Sequence, residues 1–167
     1  LVQSMLVQYV IAREGFDMAT LQTDYRKVGL WSAEQARSDY LALMQASNID
    51  SPLTRYPRTS VIETRVKSVS RLDERSALVR FETVRRDADG PHHSPAPWVA
   101  VVDYRFSGEP MSAEDRFLNP LGFQVLKYRR DPETLVPVDA ATTRDIQQGT
   151  PIEAEDVQVD APGEATP

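Results

Sequence analysis

The hydrophobic pattern of this chain changes period once, near residue 60, and that change sets what it can fold into. Up to that point apolar residues return at helical spacing. Val2, Met5, Leu6, Tyr9 and Val10 make one stripe, ending near Gly15. Asp17 is placed to cap a second helix that carries Leu21, Tyr25 and Val28 and stops at Gly29. Ser32 and Gln35 have the spacing of a capping box for a third, with Ala36, Tyr40, Leu43 and Met44 as its apolar face. The stretch from Asn48 to Pro57 is punctuated by Pro52 and Pro57 and reads as a loop with one short helical turn. Beyond it the spacing is two. Ile62, Thr64 and Val66 share a face, and Asp73-Glu74-Arg75 turns the chain. Ala77, Val79 and Phe81 share the next face. Trp98, Ala100, Val102, Tyr104 and Phe106 oppose Val99, Val101, Asp103 and Arg105 in the clearest strand. A fourth strand opens at Phe123, with Phe123, Val125 and Lys127 on one side and Gln124, Leu126 and Tyr128 on the other.

Helices first and four neighbouring strands second argue an α+β domain in which helices lie on one face of a curved antiparallel sheet. That layout is the one of the nuclear-transport-factor-2-like cone. The chain has 167 residues, enough for one core, and no apolar run of bilayer-spanning length. It begins at Leu1 without an initiator methionine, so a preceding segment is expected. It has no cysteine, which removes disulfides and thiolate chemistry without fixing a compartment. Charge is uneven. Residues 1–130 hold 18 basic and 16 acidic side chains, and residues 131–167 hold one and nine. An acidic, proline-rich end on a near-neutral body argues against general nucleic-acid affinity. The expected division is therefore a folded domain over 1–133 and a disordered or extended tail over 134–167.

The most specific local signal is Asn119-Pro120-Leu121-Gly122 running into Phe123. Asparagine suits the first position of a β-turn, proline the second and glycine the fourth. On turn chemistry alone, Gly122→Ala is expected to cost about 1 kcal/mol or more if Gly122 needs a positive φ. Asn119→Ala is expected to leave stability nearly unchanged. The wording of this turn resembles the Asn-Pro-x-Gly motif in the periplasmic domain of the eighth VirB-operon protein family, inner-membrane components of bacterial type IV secretion machines. Other stretches resemble the same family in the same order. They are Tyr9 to Asp17, Leu21 to Val28 with Trp31-Ser32, Ser51 to Tyr56, and Ala77 to Phe81. The resemblance implies a periplasmic domain behind a single membrane helix. It also implies an assembly factor without catalysis or cofactor, which self-associates and contacts other secretion components. On that reading Asn119, Pro120, Leu121, Gly122 and Phe123 shape a surface for a partner, with Met5, Tyr9, Gln124 and Leu126 contributing to self-association. The alternative for Pro120 and Gly122 is that they only set the turn.

The cone also hosts enzymes and ligand carriers, so acid–base candidates matter. Asp103 is the best, mid-strand beside Val99 and Val101. Facing an apolar cavity it would have a raised pKa and serve as the base of an isomerase, dehydratase or hydrolase. Facing solvent it would pair across the sheet with Arg80 or Arg105. His92 and His93 are adjacent in a polar loop with Asp89, Gly90, Pro91 and Ser94, a poor spacing for one metal ion. No phosphate loop, nucleophile elbow or zinc spacing is present.

Overall fold

A computed structural model describes residues 1–134, so the tail expected over 134–167 lies outside the described residues except for Thr134. In chain order the elements are α1 (Val2–Glu14), α2 (Leu21–Leu30), α3 (Glu34–Leu43), α4 (Pro52–Arg55), β1 (Val61–Arg71), β2 (Ser76–Arg86), β3 (Ala96–Phe106), α5 (Ala113–Leu118) and β4 (Phe123–Pro132). The strands form one antiparallel meander in the order β1-β2-β3-β4. Helices cover one face of it, and the fold is the expected α+β cone of the nuclear-transport-factor-2-like kind.

The core lies between α1 and the sheet. Leu6, Tyr9 and Val10 are fully buried, as are Val79 and Phe81 of β2, Ala100 and Val102 of β3, and Phe123 and Val125 of β4. Removing one side chain of the size of Phe81 or Leu6 from water is worth about 1.5–3 kcal/mol. The helix α1 contains no Gly or Pro from Val2 to Glu14, but Val7, Val10 and Ile11 are weak helix formers, so its stability comes from this packing. It ends where Gly15 crowds its own last turn. A Cβ there would fall 2.8 Å from the Ile11 carbonyl oxygen. Phe16 then pairs with Ile62 through two backbone hydrogen bonds, tying the helix exit to β1.

Three of the expected helix signals act otherwise, one through a local turn and two through tertiary contacts. The Asp17 carboxylate accepts from the Ala19 N–H in a local turn, and α2 begins only at Leu21. Gly29 does not stop α2, which runs on until Trp31 is seated in the core at 3% exposure. Ser32 caps nothing, because its hydroxyl is hydrogen-bonded at 2.8 Å to the Tyr9 hydroxyl. The helix α3 therefore starts without a side-chain cap, and its first residue, Glu34, has a φ of 49°.

Two bulges correct the expected strand faces. The register of β1 slips between Val66 and Ser68, so Val66 and Val69 both reach the core. The register of β4 slips opposite Asp103 and Tyr104, leaving Leu126 as the extra residue. Beyond that bulge the alternation inverts. Tyr128 joins Phe123 and Val125 on the core side and Lys127 turns outward, the reverse of strict alternation.

Candidate protein-interaction site

The turn forms as read. The Gly122 N–H donates to the Asn119 carbonyl across 3.2 Å, with Pro120 and Leu121 between them. Gly122 has a φ of +64°, and a Cβ on it would stand 2.0 Å from the Ser107 carbonyl oxygen. The Ser107 N–H in turn donates to the Gly122 carbonyl at 2.7 Å, so the end of β3 and the start of β4 close on glycine backbone. Asn119 is 1% exposed. Its Oδ1 accepts from the Phe123 N–H at 2.8 Å, and its Nδ2 donates to the Phe123 carbonyl at 2.9 Å. One side chain thus supplies both a donor and an acceptor to a single residue, as a neighbouring strand would.

The structure therefore divides the predicted turn residues. Asn119, Gly122 and Phe123 are buried and build the site, whereas Pro120 and Leu121 are exposed and belong to its surface. Just before them stands α5, which sequence reading missed. Its signal was Ser112 three residues ahead of Asp115, and the Ser112 hydroxyl does accept from the Asp115 N–H. None of its side chains is buried, and Phe117 is 87% exposed. Leu118 and Leu121 are exposed beside it, so an apolar patch of Phe117, Leu118, Pro120 and Leu121 surrounds the turn. Three contacts hold it in place. The Trp31 indole donates to the Leu118 carbonyl at 3.1 Å, and Arg26 reaches Glu114 at 2.8 Å and Asp115 at 3.4 Å.

The residues expected to mediate self-association are placed differently. Met5 and Tyr9 lie in the chain's own core and present no side chain to a second copy. Gln124 accepts from Arg105 at 2.9 Å, and Leu126 is half-buried at the bulge. The exposed side of α1 instead carries Gln3, Ser4, Gln8 and Ile11, and no charged residue occurs between Leu1 and Ala12. Sequence reading assigned the apolar stripe of α1 to one face and passed over this uncharged outer one.

Asp103 lies on the outward face of the sheet, next to exposed Val101 and across from Lys127, and does not face the apolar interior. It forms no ion pair with Arg80 or Arg105; Arg80 pairs with Glu133, and Arg105 with Glu34 at 3.2 Å. The concave mouth of the cone is a cleft of about 240 Å³ that Asp103 does not line. Three of the charged groups that line it, Arg13, Glu14 and Arg130, are engaged with neighbours in its wall. Glu14 accepts from the Tyr128 hydroxyl at 2.8 Å and from Arg130, while Arg130 lies over Trp98 and Arg13 over Tyr128. His93 bonds to Asp87 at 2.8 Å, and Asp87 also accepts from Ser60 and Arg85. These donors hold the Asp87 carboxyl well below the usual carboxylate range. Among the described residues no cluster fit to hold a metal ion occurs, and no helix is long and apolar enough to cross a membrane.

Comparison with known proteins agrees with this geometry. The profile of the family described as VirB8 protein matches residues 1–133. The type IV secretion system protein PtlE of Bordetella pertussis is 36% identical over 137 residues, covering 81% of this chain and 58% of PtlE. The type IV secretion system protein virB8 of Bartonella henselae is 34% identical over 129 residues, covering 77% of this chain and 54% of that protein. The chain thus spans a little over half the length of these curated relatives. The crystal structure of a TrwG component of a type IV secretion system from Bartonella birtlesii superposes with a TM-score of 0.72. It is 34% identical and covers 78% of this chain and 90% of that one. Because the family match runs over residues 1–133, the span that holds the helices, the sheet and the turn, the chain belongs to the VirB8 protein family.

Proposed function

We propose that this chain is the periplasmic domain of a single-pass inner-membrane component of a type IV secretion machine, and that it works by binding rather than by turnover. The patch of Phe117, Leu118, Pro120 and Leu121 is its contact with another component of the channel. The observation that carries this reading is Phe117, a large aromatic at 87% exposure on a helix held by a glycine-locked turn and a buried asparagine. A fold that fixes an apolar side chain in water this firmly is arranged for an apolar partner. Self-association uses the uncharged outer face of α1, with Ile11 and Ser4 in place of Met5 and Tyr9.

The test is transfer of DNA or protein by a strain deleted for its own copy and complemented with the full-length protein. Phe117→Asp and Leu121→Asp are expected to reduce transfer about a hundredfold at normal protein level, with thermal stability unchanged in Phe117→Asp, where Phe117 is 87% exposed, and lowered slightly in Leu121→Asp, where Leu121 is 42% exposed. Asp103→Asn is expected to transfer as the parent does. Normal transfer by both patch variants would overturn the assignment of the patch. Loss of transfer by Asp103→Asn in a folded protein would favour the enzyme reading. For self-association, Ile11→Glu is expected to weaken the dimer at least tenfold in sedimentation equilibrium.

A further inference from the structure

We infer that the outer edge of β4, from Lys127 to Asp131, accepts an acidic extended segment of a partner protein as a fifth strand. This surface is separate from the patch around the turn and does not depend on it. The strand β4 is the last in the sheet, so one of its sides lacks a neighbouring strand. The beginning of that side is closed. The strap between α2 and α3 lies along it, with the Val125 N–H bonded to the Trp31 carbonyl and the Ala33 N–H bonded to the Val125 carbonyl, each at 2.8 Å. The Leu126 bulge follows. From Lys127 to Asp131 no further backbone partner occupies the outer side among the described residues, and Pro132, which has no N–H, ends the run. The opening is about five residues long and bounded at both ends, which sets the register of an added strand.

Charge selects the occupant. The opening contains Lys127, Arg129 and Arg130 against one acid, Asp131; Arg130 is already paired with Glu14, so Lys127 and Arg129 are the cations it offers to a new strand. Lys127 forms no ion pair among the described residues, and the Arg129 side chain is 79% exposed while it touches Asp131. The other edge differs. On β1 the cations Arg65 and Lys67 are matched by Glu63 and Glu82, among the described residues only Arg71 at the strand's end is left over, and Phe16 covers the strand's start. Charged side chains on an edge normally deter strand addition. Here the deterrent has a sign. An uncharged or basic strand would bury or crowd the cations without compensation, whereas an acidic one meets opposite charges at cross-strand positions.

The experiment uses the full chain and two synthetic nine-residue peptides of alternating Val and Thr with Glu in one and Lys in the other. Backbone amide hydrogen exchange and titration are followed at low and high salt. The Glu peptide is expected to slow exchange at the amides between Lys127 and Asp131, to bind at least tenfold more weakly in high salt, and to lose tenfold or more with Lys127→Glu combined with Arg129→Glu. Circular dichroism identical to the parent's certifies that the charge reversal leaves the fold intact. Absence of protection in this stretch, or equal binding of the Lys peptide, overturns the proposal and leaves the edge merely guarded. A third chain, with the seven Asp and Glu residues of 135–167 changed to Asn and Gln, tests the chain's own tail as occupant. If these amides are protected without peptide and become exposed in that variant, the partner proposal is likewise overturned.

Discussion

At the residue scale, Asn119 and Gly122 show how much a four-residue turn can carry. The side chain of Asn119 bonds both peptide groups of Phe123 in a place without water. Its removal leaves a backbone donor and acceptor unmet, so Asn119→Ala is expected to destabilise the domain by about 2–3 kcal/mol in urea denaturation. Sequence reading, which knew only the turn, expected almost no effect. Gly122→Ala is expected to cost more than the roughly 1 kcal/mol of a left-handed backbone, because the added carbon also meets the Ser107 carbonyl. Glu34 offers the opposite sign. It holds a φ of 49° at the start of α3, where Gly is at ease, and its ion pair with Arg105 is exposed. Glu34→Gly is therefore expected to keep or slightly raise the melting temperature, although glycine inside a helix ordinarily costs about 1 kcal/mol.

Among the elements, the two bulges do the most to shape the sheet. Both edge strands carry one, with Lys67 as the extra residue of β1 and Leu126 as that of β4, and each swaps the faces of the residues beyond it. In β4 the swap brings the Tyr128 ring beside Tyr9, beneath the Arg13 guanidinium, with its hydroxyl on Glu14. Deleting Leu126 would restore plain alternation and turn Tyr128 out of that site. The deletion is expected to cost at least about 3 kcal/mol by chemical denaturation, the range for losing a large aromatic from a core. Sequence periodicity gave no warning of either bulge, since a single extra residue leaves the local pattern nearly intact. The short helix α5 escaped for a related reason: six residues with no buried side chain have no stripe to read.

Across the whole molecule, the core seals phenols as well as hydrocarbon. Burial pushes the hydroxyls of Tyr9, Tyr40 and Tyr128 above the ordinary value of 10.0, helped at Tyr128 by the adjacent Glu14 carboxylate. The folded state therefore holds these protons more tightly than the unfolded one. Their contribution to stability is complete below pH 10 and is lost as pH rises from there towards the folded-state values, at about 1.4 kcal/mol per pH unit for each tyrosine. Urea midpoints are expected to fall as pH rises above about pH 10, and Tyr40→Phe is expected to make that fall shallower. By itself the sequence determined the class of the fold, the helices and strands that have a clear period, and the turn at Asn119 to Gly122, because these depend on local spacing and backbone preference. Only the tertiary structure decided where Asp103 points, which side Tyr128 faces, that Met5 and Tyr9 are core, and that Phe117 stands in water. Each of these depends on which distant surface a side chain meets, and no local pattern records that.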